Sequence, residues 1–568
     1  MTLIDVVVGV AVITTVFFAL FGAFKLSVEL VHSAKAKTSA TALMAERLEY
    51  IRSLPYTSVG TLGGIPAGAI PQLEQTTLNG TLFTTRTLIL YQDAPEDGVD
   101  QNDENGITAD YKIAKVEVSW MIKGSSRTTS AVTYLTPSGL ETLDGGGTLR
   151  VSVFNALASP VPQATVRVIN SGLASAIDVS TQTNDSGVAS FPGAPEASGY
   201  EIYISKNGYS SAQTYGVTEE NPNPSPGRVS VVEHDTTSMS FAVDLVGALS
   251  FSTFQAAGEE SFSDLFDDAS KLGATSSTAV SGGSLRLAGA SGEYSLGGSA
   301  FSVPVSPSYL ASWKALSFSS FVPAGTSLLV RLYYFDGAQY TLIPDTDLPG
   351  NGAGFTVGPV DLSSLSAESY LSLEIGATLA SDGAETPELL EWSVSYIAGP
   401  SPLPGVGVTA LGSKTIGTTA GGNPIYKFSD SFTTNQLGTW LLEDVEWDAY
   451  TISLTNPSSY NVTELCPNSA VVLPGAQTDS AITVTDNSQH SLRLVVEGGG
   501  APVAGASVHI GAGVLSGDGN TSACGQTYFG SLSQTTFNVT VTKSGYQAYS
   551  GSASVDGETM LLVPLVSL

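Results

Sequence analysis

Cysteine and histidine are nearly absent from this sequence: two Cys and four His in 568 residues. The histidines, His32, His234, His490 and His509, are scattered, so a Cys/His zinc site lacks ligands and His-based catalysis lacks a base. Basic residues are also scarce, 22 against 52 acidic, and the net charge of −30 repels phosphate backbones, which excludes nucleic-acid binding by charge. Charged residues of both signs make up only 13% of the chain, too few for charged disorder or a helical bundle. What fills the space is Ser, Thr and 60 Gly, the composition of turn-rich β-structure. At roughly 100 to 200 residues per domain the length predicts three to five domains.

No proline occurs before Pro55. The run Leu3 to Phe24, LIDVVVGVAVITTVFFALFGAF, is almost wholly apolar and matches the ~20 residues that span a bilayer as a helix. A basic n-region and a small-residue cleavage site, the marks of a signal peptide, are missing. The helical pattern continues through KLSVELVHSAKAKTSATALMAERLEYIRSL, predicting one helix of about fifty residues, roughly 75 to 80 Å long. Leu26, Leu30, Ala34, Leu43, Leu48 and Ile51 in its second half suit packing on other helices and on a β-domain. Asp5 stands alone in the apolar run, where a charge costs at least ~2.5 to 3.5 kcal/mol, so a cationic partner is expected. A cap at the helix N-terminus is the other reading of that residue.

The segment MTLIDVVVGVAVITTVFFAL resembles the N-terminus of a mature type IV pilin, and EYIRSLPYTSVGTLGGIPAGAIPQ resembles the exit and Gly-rich loop that follow such helices. The resemblance implies that Met1 is the N-methylated first residue. It also implies that Asp5 takes the acidic fifth position, pairing with the N-terminal amine of a neighbouring subunit. The family usually has Phe first, Glu fifth and a leader ending in Gly; the expectation is a chain numbered from its processed residue, with Met1 as initiator the alternative. The implied partners are other copies of the chain in a homopolymer, the pilus assembly machinery with its prepilin peptidase, and the inner membrane before assembly. The implied location is a surface filament.

After the helix (1–54) the sequence predicts a pilin head over 55–142. TLFTTRTLILYQD, KIAKVEVSWMIKG and SAVTYLT alternate as antiparallel strands. Between the first two lies DAPEDGVDQNDENGITADYK. Asp97, Asp100, Asp103, Asn105 and Asp110 make a calcium loop one reading of it, although Gln101 and Lys112 fall where further ligands are needed. A solvated acidic hairpin tip is the other. Beyond calcium no cofactor is expected.

An internal repeat follows. LRVSVFNALASPVPQATVRVIN, QTNDSGVASFPG and YEIYISKNGY find echoes in LRLVVEGGGAPVAGASVHIG, SACGQTYFG and FNVTVTKSGY, with a weaker middle copy from Pro404. These units resemble carboxypeptidase regulatory-like and collagen-adhesin B-type β-sandwiches, which act as spacers and stalks. The expected domains are sandwiches at 146–247, 399–486 and 487–568, with a larger jelly-roll-like sandwich at 248–398. The Gly-rich stretch from Leu143 is expected to be a boundary with few crossing contacts.

In the larger sandwich Trp313, Tyr333, Tyr334, Phe335, Tyr340 and Trp392 could stack on sugars or could be core, and Asp345 and Asp347 sit in a loop beside Pro344. No hydrolase constellation stands out, and the chain is read as no enzyme. Cys466 and Cys524 would pair in an oxidising space and link the last two units. Asn79, Asn184, Asn461, Asn520 and Asn538 begin glycosylation sequons. The fold class expected is mainly β, a long N-terminal helix with a small sheet followed by several β-sandwiches. The function expected is a pilin subunit with outer modules for adhesion or spacing. The alternatives are a minor pilin or tip adhesin, and a membrane-anchored surface protein that never polymerises.

Overall fold

The computed structural model describes residues 3–94, 109–137, 146–290, 292–455 and 459–568, with the backbone alone for 3–9 and 11. The protein is mainly β with one long N-terminal helix. That helix, α1 (Leu3–Ser53), runs unbroken for 51 residues and stops two residues before Pro55, whose ring disfavours a preceding helical turn. Thr14, Thr38 and Thr41 donate their hydroxyls to the carbonyls four residues back, so these polar groups do not interrupt the helix.

The head is an antiparallel meander of β1 (Leu73–Leu78), β2 (Thr81–Gln92), β3 (Tyr111–Ile122) and β4 (Ser125–Leu135). Asn79-Gly80 and Lys123-Gly124, all at positive φ, close two of its hairpins as two-residue loops. Period-two alternation turns Phe83, Ile89, Ala114, Val116, Val118 and Trp120 toward α1, where Ala36, Ala40, Leu48 and Ile51 receive them. The small Ala36 and Ala40 let the helix approach the Phe83 and Trp120 rings.

The opposite face of the sheet is covered too. Leu88, Leu90 and Tyr91 pack on the core of the first module, into which the loop residue Ile65 is buried. Gln72 Nε2 donates to the Asp178 carbonyl at 2.7 Å, and the Asp178 amide to the Gly63 carbonyl at 2.7 Å. The boundary expected to carry few contacts is therefore a packed interface. The reason is that β2 is apolar on both faces, and each face needs cover.

Three modules share one topology in which the first and last strands pair in parallel. Gly146–Phe154 pairs with Thr236–Ala242, Gly247–Gln255 with Gln477–Asp486, and Ser491–Gly498 with Glu558–Leu565. A turn recurs with them: Thr183, Thr434 and Thr521 each accept a backbone amide through Oγ1, and four residues on come Gly187, Gly438 and Gly525. Their φ of 70–72° suits glycine, and a Cβ there would lie within 2.8 Å of a carbonyl oxygen of the module's first strand.

This shared topology moves one expected boundary. Gly247–Gln255, placed by sequence at the start of the larger sandwich, is the first strand of the middle module, and Leu249 and Phe251 belong to its core. The middle copy therefore begins at Gly247 rather than Pro404. The larger sandwich, Gly258 to Ala398, is inserted after that strand, and its two ends pair with each other at Gly258 and Ala398. An insertion whose ends meet disturbs its host little.

The joints between modules are polar. Asn223–Pro224 of the first module pairs with Thr415–Thr418 of the second, and Lys427 Nζ donates to the Ser211 carbonyl at 2.7 Å. Glu446 holds both Lys414 at 2.9 Å and Lys427 at 2.6 Å, and burial pushes the Lys414 ammonium below its ordinary pKa. At the last joint Gln526 brackets Leu465, donating to its carbonyl at 2.5 Å and accepting from its amide at 3.0 Å. Beside it Cys466 and Cys524 are joined by a disulfide with their Cα atoms 5.7 Å apart.

Candidate assembly surface

The helix α1 divides at about residue 32. From Ala36 onward one side of it is buried on the head. Before that, every large apolar side chain described is more than half exposed, including Ile13, Phe17 at 67%, Phe18 at 69%, Phe21, Phe24 and Leu30. At 3.6 residues per turn Val12, Ile13, Phe17, Phe18 and Leu26 face different directions, so the segment is apolar all round. Such a helix is stable only inside lipid or among other helices. Among the described residues it is the one helix long and apolar enough to cross a membrane.

Charge returns where the helix meets the head. Glu29 is ion-paired with Lys123 at the tip of the β3–β4 hairpin, and further along Arg47 pairs with Glu74. Arg52 Nε and Nη2 both donate to Thr133 Oγ1, at 3.1 and 2.9 Å. The Glu29 contact marks the end of the projecting segment. It places about 22 apolar residues, some 33 Å of helix, beyond the head.

Of the residues singled out in sequence, Asp5 lies on the backbone of α1, and Met1, Asp97, Asp100, Asp103 and Asn105 fall outside the described residues. Asp110 is described. Its Oδ2 accepts the Ala94 amide at 2.6 Å and ties together the two ends of the acidic segment. Among the described residues no group of three or more His, Cys, Asp or Glu is arranged to hold a metal.

The aromatic residues of the inserted sandwich are mostly core. Trp313 and Trp392 are fully buried, Tyr333 meets Phe301 edge-on, and Tyr334 meets Tyr370. Phe335, 46% exposed, packs on Tyr340. Asp345 and Asp347 serve different partners: Asp345 accepts the Gly352 amide at 2.5 Å, and Asp347 the Tyr370 hydroxyl at 2.5 Å. Burial, with that bond to Asp347, pushes the Tyr370 pKa up to about 12. The sequon residue Asn461 is buried, its Oδ1 taken by the Ser488 amide at 2.7 Å.

One residue that the sequence reading noted only as a misfit at the end of the acidic loop supports the head from within. Lys112 is 1% exposed, and its Nζ donates to the carbonyls of Tyr56 and Val59 at 2.9 and 3.0 Å while lying 4.4 Å from the Tyr56 ring centre. It anchors the turn that leaves the helix. Its parity with Ala114 and Val116 along β3 was the available signal that it points inward.

No family model matches the chain, and no curated protein matches it. Among solved structures it is similar to the Bacillus anthracis TIE protein, at 11% identity over 88% of this chain and 73% of that one, with a TM-score of 0.16. It is also similar to GBS52, a minor pilin of Streptococcus agalactiae, at 13% identity over 30% of this chain and 86% of that one, with a TM-score of 0.13. A third is BcpA, the major pilin subunit of Bacillus cereus, at 8% identity over 74% of this chain and 99% of that one, again with a TM-score of 0.13. At TM-scores this low the superpositions carry no weight for function.

Proposed function

We propose that this chain is a structural subunit of a type IV pilus-like surface filament and carries no catalytic site. The observation that supports this is the division of α1: one part is buried on the head, while the other is apolar on every side and has no cover among the described residues. Lipid would cover it before assembly, and the same segment of neighbouring copies afterwards. Packing helix on helix replaces lipid contact with side-chain contact, and Asp5 supplies direction, because a carboxylate at that depth is relieved by a neighbour's α-amine. N-methylation at Met1, the prepilin peptidase and the assembly machinery belong to this reading. The head and modules would lie outside the helical core, available for adhesion or spacing.

The test is Asp5→Ala in the full chain with its native export machinery. Membrane insertion should persist, since the substitution removes a charge from an apolar segment. Filaments seen by electron microscopy should disappear or fall severely. A normal filament yield from this variant would overturn the assembly role.

A further inference from the structure

The last two modules meet over a cleft of about 300 Å³. Its floor is the open side of the middle module, where Ile452 and Leu454 come from one sheet and Val462, Leu465 and Ile482 from the other. The short strand Ala470–Val472 covers Asp448 to Tyr450 and stops there, so among the described residues no strand closes that edge from Thr451 to Leu454. The cleft therefore reaches the edge of that module's core, where Leu454 and Val462 are half-buried and Ile452, Leu465 and Ile482 behind them are 6%, 5% and 1% exposed.

The mouth of the cleft belongs to the last module and holds a cation. Arg493 Nη1 donates to Gln526 Oε1 at 2.9 Å and Nη2 to Met560 Sδ at 3.3 Å. A guanidinium has five N–H groups, and these two acceptors are a neutral amide and a weakly accepting thioether. Among the described residues Arg493 forms no ion pair. Glu558, on the same cleft, accepts the Val462 amide at 3.1 Å instead and attracts the guanidinium only from a distance. Burial holds the Arg493 pKa below its ordinary value, and the attraction of Glu558 offsets that in part.

We propose that this cleft binds an aliphatic chain ending in a carboxylate, with the carboxylate on Arg493 and the chain against Leu454 and Val462 at the open edge of the middle module. The planar guanidinium fork matches a carboxylate in two-point contact, and an anion there would supply what Gln526 and Met560 do not. The apolar floor selects an aliphatic tail over a bare ion. Glu558 repels any anion in the cleft, a dianion such as sulfate about twice as strongly as a carboxylate, so a monoanion is favoured. A free short-chain fatty acid and a peptide C-terminus with an aliphatic last residue share this chemistry. The site does not depend on assembly, because both modules belong to one chain.

The experiment is calorimetric titration of the full chain in a sugar-headgroup detergent. The probes are hexanoate, hexanol, sulfate, and a tetrapeptide ending in Leu as its free acid and as its C-terminal amide. Hexanoate or the peptide acid should bind, and whichever binds more tightly identifies the source. Hexanol, the amide and sulfate should bind at least about tenfold more weakly. Arg493→Gln should lower the affinity at least about tenfold. Because Arg493 also supports Gln526, a second variant, Val462→Trp, fills the cleft with Arg493 in place and should abolish binding. The proposal is overturned if neither acid binds at millimolar concentration, if hexanol matches hexanoate, or if the folded variants bind as the parent chain does.

Discussion

Residues 1–137 and 138–568 differ in charge as sharply as in shape. The first stretch holds 10 basic and 13 acidic residues, a net −3, and the second 12 basic and 39 acidic, a net −27. Their surfaces differ in the same way. The helix exposes Phe17, Phe18, Phe21 and Phe24 together, whereas the modules expose apolar residues mostly singly at loop tips, such as Leu157, Leu437 and Val514. One region is built to be covered by apolar neighbours and the other to remain in water. Self-repulsion among acidic modules would hold them apart at low salt, while the near-neutral helix and head can pack closely.

The head binds these two regions together, and the experiments that separate them follow from its two covered faces. The largest effect is expected from truncation. A chain ending at residue 137 would expose Ile65, Leu88, Leu90 and Tyr91 and should aggregate or be degraded, whereas one ending at residue 246 keeps the first module over them and should still form filaments. Equal filament yields from both would show that the head needs no module.

Next comes the helix side of the sheet. Phe83→Ala removes a fully buried ring beneath Ala36 and Ala40 and should cost about 3 to 5 kcal/mol, read as a lowered denaturation midpoint and reduced filament yield. An unchanged midpoint would mean that the helix does not depend on this contact. The smallest effect on assembly is expected from Cys524→Ser. Opening the loop between Cys466 and Cys524, 58 residues apart in sequence, should cost the last two modules up to about 4 kcal/mol, discounted by the Gln526 bracket that remains. Protease sensitivity of the distal end should rise while filaments form normally. Loss of filaments from this change would erase the division between the two regions.

Local pattern alone determined a good deal of this protein. The apolar run from Leu3 to Phe24, the absence of proline before Pro55 and the alternation in β2 and β3 each act within a few residues, so the long helix and the head strands are legible without a fold. The Asn79-Gly80 turn is legible for the same reason, since its φ values are a local matter. Repetition made the first and last modules visible.

Tertiary structure decided what depends on residues far apart. Gly247–Gln255 alternates as any strand does, and only its parallel pairing with Gln477–Asp486, over two hundred residues away, assigns it to the middle module and makes the larger sandwich an insertion. Leu88 and Leu90 look like residues of the solvent face of a two-layer head until the first module is set against them. Lys112 reads as a surface lysine until the turn at Tyr56 and Val59 turns its carbonyls toward it. Arg493 likewise gains its setting only when two modules meet. Periodicity reports which way a side chain points along its own strand, and burial depends on what arrives on the other side.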